Sequence, residues 1–276
     1  MSYIYNSVAM SRSARTILDL VGVEAPQAAS PAIGYVENVI KKAAGETIDH
    51  AVIYNADAVA MYMIQKYTEL FVPVFENTCV SVPVLSTVSS CTPVAHASMY
   101  TGLEPSGHGI KTYVRPQLTV ETAYDALIAA GRHPAIVCMT DSTFSHIFAG
   151  RDSCPIFEEK DNEGCLRRAE ELLSCGKYDF ISIHTFEYDD AGHKYGPESP
   201  QALDAVRREA EGFGKVCEMI RKYWNGKTVL TAYMPDHGQH TMEPWEPDFA
   251  GKGKIGTHGD IVPEDMNVMH FYGVVK

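Results

Sequence analysis

Short apolar runs rich in β-branched and aromatic residues alternate along this chain with stretches whose apolar positions recur every three to four residues. Five runs predict strands: 50–54 (HAVIY), 134–139 (PAIVCM), 180–184 (FISIH), 228–232 (TVLTA) and 268–274 (VMHFYGV), with 80–85 (VSVPVL) a weaker sixth. Between them, 58–70, 120–130, 164–173 and 201–223 carry the spacing of amphipathic helices. This rhythm is that of a mainly parallel central sheet covered by helices on both faces, a three-layer α/β/α sandwich. The first 45 residues are less regular: one helix is predicted over 13–20, and a Pro/Ala/Ser-rich patch at 25–32 reads as a loop. No repeat, low-complexity tract or linker divides the chain, so 1–276 reads as a single domain.

Composition agrees and narrows the function. A chain of 276 residues that is 45% hydrophobic can bury a sizeable core. Its formal charge of −12 repels phosphate backbones and anionic lipid unless cations reverse the sign locally, which argues against nucleic-acid polymers and membrane surfaces as partners. No apolar run approaches the roughly 18 residues that cross a bilayer, and the N-terminus lacks a basic segment followed by an apolar one. The cysteines at 79, 91, 138, 154, 165, 175 and 217 are odd in number and never form a CxxC pair. They read as buried thiols in a reducing compartment, so the expected location is cytoplasmic.

In open α/β sheets ligands bind beyond the carboxyl ends of the strands. Those positions are chemically uniform here: Asp57 follows the first predicted strand, Asp189 and His193 the third, Asp236 and His237 the fourth, and Thr257-His258-Gly259 precedes the last. Repeated pairing of carboxylate with imidazole is a metal-site pattern, and the mixture suits zinc or manganese better than calcium. Taken alone, Asp189 and His193 fit two readings: a loop folded back at Gly192 so that both face one ion, or a solvated loop in which Asp189 and Asp190 cap the next turn. Asp236 and His237 would point to opposite faces of a straight strand, so a turn at Gly238 is expected to bring both to one metal.

Thr92 stands directly before Pro93, which favours the first position of a helix and would make Thr92 its N-cap. A hydroxyl there also lies where a helix N-terminus stabilises bound phosphate, although it needs a metal to become a nucleophile at neutral pH. Cys91 is a rival nucleophile, but no arginine follows at the spacing of a thiolate phosphatase loop.

Together these segments resemble the alkaline phosphatase superfamily and, within it, the type I phosphodiesterase/nucleotide pyrophosphatase family, over roughly residues 50 to 275. Thr92-Pro-Val-Ala-His96 with Thr101-Gly-Leu-Glu-Pro-Ser-Gly-His-Gly-Ile110 resembles the family's nucleophile segment. Asp189 to Pro197 matches its D-x-x-G-H-x-x-G-P motif, Asp236-His237-Gly238 its DHG, and His258-Gly259 its last histidine ligand. The resemblance implies an alkaline phosphatase-like fold with two divalent transition-metal ions, zinc or manganese. One would be held by Asp189, His193 and His258, the other by Asp57, Asp236 and His237 with Thr92. It further implies hydrolysis of a phosphodiester or nucleotide pyrophosphate through a phosphothreonine intermediate, on a small-molecule phosphate ester or nucleotide. The chain departs from the pattern at three places: no glycine follows Asp57, Ala95 replaces an asparagine, and Tyr113 stands where the family has a phosphoryl-binding asparagine. Tyr113, Lys111 and Arg115 are candidate donors to a phosphoryl oxygen, Tyr113 first among them. The alternative is a phosphomonoesterase or phosphonate hydrolase on the same metals. An isomerising mutase would need an inserted domain, and a binding protein with a decayed site would not be expected to keep six ligands and the hydroxyl.

Overall fold

The computed structural model describes residues 4–45, 47–243 and 253–276. Its strands are β1 (Val8–Ala9), β2 (His50–Ala56), β3 (Val80–Leu85), β4 (Pro134–Met139), β5 (Ile156–Glu159), β6 (Phe180–Thr185), β7 (Val229–Tyr233), β8 (His240–Thr241), β9 (Gly256–Thr257) and β10 (Asn267–Val275). Eight of them form one sheet in the order β1-β3-β10-β7-β2-β6-β4-β5, while β8 and β9 pair apart from it. The pairings are parallel except where β10 runs antiparallel to β3 and β7.

The helices are α1 (Ser13–Leu20), α2 (Gly34–Ala44), α3 (Met61–Lys66), α4 (Val72–Glu76), α5 (Thr92–Thr101), α6 (Pro105–His108), α7 (Ala123–Ala129), α8 (Thr143–Ile147), α9 (Asn162–Cys175), α10 (Glu187–Tyr195), α11 (Pro200–Tyr223) and α12 (Pro263–Met266). They cover both faces. Ala51 and Ile53 pack with α1, α2, α5 and α7, whereas Val52 and Tyr54 pack with α3, α9 and α11. Alternation along one strand thus feeds two cores, the consequence of a period-two pleat in a sheet buried on both sides. Expectation and structure agree on the three layers and the mainly parallel sheet.

The first 45 residues hold more regular structure than expected. α2 buries only Val36, Ile40 and Ala44, a narrow stripe, and closes on Gly45 in the left-handed conformation (φ 69°). The stretch 58–70, read as one helix, is α3 followed by a 3-10 turn at Thr68–Phe71. No helix among the described residues is long and apolar enough to cross a membrane. All seven cysteines are free.

Candidate metal centre and nucleophile

β7, β2 and β6 are adjacent and parallel, so their carboxyl ends open side by side at one edge. β2 delivers Asp57, which is buried. Ala58, where the family pattern has glycine, adopts the left-handed region at φ 64°. That turn aims the Ala58 N–H at Asp236 Oδ1 (3.1 Å), which also accepts from the His237 N–H at 2.8 Å. With two amides on Oδ1, Asp236 presents Oδ2 to His237 Nε2 at 3.4 Å. Asp57 Oδ1 lies at the same 3.4 Å from that nitrogen. The expected turn at Gly238 is instead a close approach: a Cβ there would stand 1.9 Å from the Glu264 carbonyl oxygen.

The segment after β6 is a helix, not a folded-back loop. α10 places Asp189 and His193 one turn apart on one face, with Asp189 Oδ1 3.4 Å from His193 Nε2. Gly192 serves the packing of this helix, since a Cβ there would lie 2.0 Å from Gln239 Oε1. Buried Glu209 of α11 accepts the Tyr188 N–H in its first turn. His258 approaches from the loop after β9, its Nε2 3.6 Å from Asp189 Oδ1.

Thr92 is the first residue of α5, and Cys91 occupies the N-cap position. Its hydroxyl does not cap the helix, as the sequence suggests; the Val94 and Ala95 amides bond the Cys91 carbonyl. Thr92 Oγ1 points to His237 Nε2 at 3.1 Å and Asp57 Oδ2 at 3.4 Å. The preceding loop is braced to both ligand-bearing loops, by Ser86 Oγ donating to the Asp236 carbonyl (2.7 Å) and Ser89 Oγ to the Gly259 carbonyl (3.0 Å). Burial pushes the Cys91 thiol up to about 11, so the rival nucleophile is a neutral thiol at pH 7.

Three features of the donor atoms fit cations. First, ligands about 2.0 Å from a common tetrahedral ion stand about 3.3 Å apart, close to the carboxylate–imidazole separations of 3.4 to 3.6 Å here. Second, His193, His237 and His258 each direct Nδ1 at a backbone carbonyl, of Gly256, Gly238 and Ser90 respectively. Nδ1 therefore donates and Nε2 turns a lone pair inward, the arrangement of metal-bound histidine. Burial pushes His237 down to about 4 and His258 well below its usual range, so both rings are neutral at pH 7. Third, Asp57 Oδ1, Asp189 Oδ1 and Asp236 Oδ2 are buried without a hydrogen-bond partner. Burial and then the charge of Asp236 raise Asp57 well above the carboxylate range, and burial raises Asp236 to about 8 against the pull of its amide donors. Carboxylates so placed need a counter-charge. Each triad, Asp57–Asp236–His237 and Asp189–His193–His258, has donor atoms within 4.8 Å of one another. The His237 and His258 rings stack at 4.1 Å, so the two sets abut.

Tyr113 stands 62% exposed on the loop after α6. Arg115 is engaged with Asp141, by Nη1 to Oδ1 at 3.1 Å and to the main-chain carbonyl. His108 of the TGL…HGI stretch braces its own turn, with Nε2 against Ser98 Oγ at 2.9 Å and Nδ1 accepting the Ile110 N–H. A third group, His240, Asp260 and Asp265, is unexpected from the sequence; there His240 Nδ1 meets Asp265 Oδ1 at 2.8 Å. His184 is also missed, although it ends a predicted strand: its Nε2 lies 3.2 Å from Asp57 Oδ2.

No family model matches the chain, and no curated protein matches it in sequence. Solved structures do. Murine ectonucleotide pyrophosphatase/phosphodiesterase 5 superposes with a TM-score of 0.64 at 14% identity, over 81% of this chain and 88% of that one. An inactive threonine-to-alanine form of the murine protein, in complex with AMP, gives 0.64 at 14% identity over 82% and 88%. The human protein gives 0.56 at 18% identity over 70% of this chain and 58% of its own. The likeness is one of fold, and it bears out the alkaline phosphatase-like architecture that the motif resemblance implies.

Proposed function

We propose that this protein is a two-cation hydrolase of phosphate esters, acting on phosphodiester or nucleotide pyrophosphate bonds with Thr92 as nucleophile. The observation that carries the reading is the hydroxyl of Thr92, turned away from its own helix and onto the Asp57–Asp236–His237 set. A nucleotide substrate is in keeping with the AMP complex of the murine structure. Two bound divalent ions, zinc or manganese, would lower the pKa of the threonine hydroxyl and share the charge of the phosphoryl oxygens.

The chain's own residues supply the rest. Thr92 Oγ gives up its proton to water and attacks phosphorus in line, the bond to the leaving oxygen breaks, and that oxygen leaves with a proton from water. Water then cleaves the phosphothreonine and restores the hydroxyl. Asp57 and His237 fix the hydroxyl's position from one side, and Asp189, His193 and His258 would hold the cation on the side of the leaving oxygen. Tyr113, an ordinary phenol that stays protonated at neutral pH, would donate to a phosphoryl oxygen. A neutral donor suits the single negative charge of a diester, and Arg115, held by Asp141, is not set to serve a dianion. The whole chain works as one catalytic unit, and seven free cysteines support a cytoplasmic site of action.

Steady-state kinetics on matched p-nitrophenyl mono-, di- and phosphonate esters, with metal add-back to chelated protein, test this. The expected result is activity that depends on added ions and a higher kcat/KM for diesters. A clear monoester preference would make the protein a phosphatase, and bound metal with no ester hydrolysis would make it a binding protein.

A further inference from the structure

His184 is the last-but-one residue of β6 and pairs in register with Asn55, two residues before Asp57. It is fully enclosed, stacked on Phe144 at 4.7 Å and set edge-on to His96 at 4.8 Å. Both ring nitrogens are engaged: Nδ1 with Ser142 Oγ at 2.6 Å, Nε2 with Asp57 Oδ2 at 3.2 Å. With a cation bound, Asp57 is ionised and can only accept, so the proton of the second contact lies on Nε2. Ser142 Oγ already accepts the Phe144 N–H at 3.1 Å and has its own proton to give to Nδ1. The chain Ser142, His184, Asp57 therefore runs in one direction and ends on one carboxylate oxygen.

We infer that His184 is a positioning residue, which ties down Asp57 Oδ2 so that Oδ1 is held toward a cation shared with His237 and Asp236. The inference rests on the two-cation reading above and deepens it. Asp57 has particular need of this support. Its chain neighbour Ala58 sits in a strained backbone region, and its Oδ1 has no hydrogen bond of its own. A carboxylate free to rotate would offer a cation either oxygen, or neither in the right place. Outer partners of this kind raise metal affinity without touching the metal.

His184→Phe keeps the stack on Phe144 and deletes the donor, while His184→Gln retains an N–H near the Nε2 position. Titrating chelated protein with Zn2+ against a chromophoric chelator is expected to show two sites in the wild type. In His184→Phe one site should weaken by about 10- to 100-fold, and in His184→Gln it should recover most of that loss. Nitrogen-15 spectra of the histidines should show Nε2 of His184 protonated in the metal-loaded protein. Two sites of unchanged affinity in His184→Phe would overturn the inference while leaving the two-cation reading intact, as would an Nε2 without its proton in the loaded protein, which would make His184 a ligand. A wild-type protein that binds no Zn2+ would overturn the cation reading, and this inference with it. Should His184→Phe fail to fold, the spectra and the Gln variant decide.

Discussion

Ala58 shows how the site shapes single residues. At φ 64° an alanine sits where glycine is at home, at a cost of about 1–2 kcal/mol, and what it gains is an N–H on Asp236 Oδ1. Ala58→Gly removes that strain but frees the unfolded chain by about 0.5–1 kcal/mol, so a net stabilisation of up to about 1.5 kcal/mol is expected. Chemical denaturation measures it, and a loss of stability would show that the alanine methyl packs to more effect than its backbone strains. Thr92 behaves differently. As its hydroxyl caps nothing, Thr92→Ala should cost no more than about 1 kcal/mol, the burial of one methyl group, while turnover falls at least about a thousandfold. Thr92→Ser should keep measurable activity. Cys91→Ala should turn over normally, and if it alone were inactive the thiol would be the nucleophile. The six proposed metal ligands are legible in the sequence because each follows or precedes an apolar run, and Thr92 because proline follows it. His184 is not, because it closes the run and reads as one more strand residue. The expected Thr92 cap does not form, because a Thr-Pro pair signals a helix start without saying where the hydroxyl turns.

At the scale of elements, α10 is the part that sequence reading described least well. Its polar, glycine-containing stretch has the composition of a loop, and only burial against α11 and the cap from Glu209 make it helical. The helix turns an ambiguous pair into two candidate ligands on one face. Gly192 is then a packing glycine, and Gly192→Ala is expected to push α10 away from Gln239, which a Cβ would meet at 2.0 Å. Loss of the Asp189–His193–His258 cation, with the other site retained, is the expected reading by elemental analysis; unchanged metal content would show that Gln239 simply moves aside. The strands fared better, since a sheet buried on both faces writes itself as unbroken apolar runs. β5 escaped notice because four half-polar residues at a sheet edge carry no such signal.

For the molecule as a whole, the cost of the site is two buried carboxylates, Asp57 and Asp236, gathered with the half-buried Asp189 at one sheet edge of an acidic chain. In chelated protein Asp236, raised to about 8, keeps its proton to well above the pH at which an unfolded aspartate has lost it. Unfolding then releases a proton, so stability contributed by this group is lost as pH rises toward 8. The depressed histidines act in the opposite sense, but only below their ordinary value of about 6.5. Melting of chelated protein is therefore expected to fall from pH 7 to 8, and the stabilisation by added Zn2+ to grow over the same interval. A chelated protein whose Tm is flat there would contradict the protonated carboxylate.

The proposed chemistry requires two cations sharing one edge of the sheet. The direct measurement is metal stoichiometry by elemental analysis of protein purified without chelator, beside the double variant Asp236→Ala/His237→Ala. Two transition-metal ions per chain are predicted for the wild type and one for the variant. A stoichiometry near one in the wild type, or metal undiminished in the variant, would contradict it.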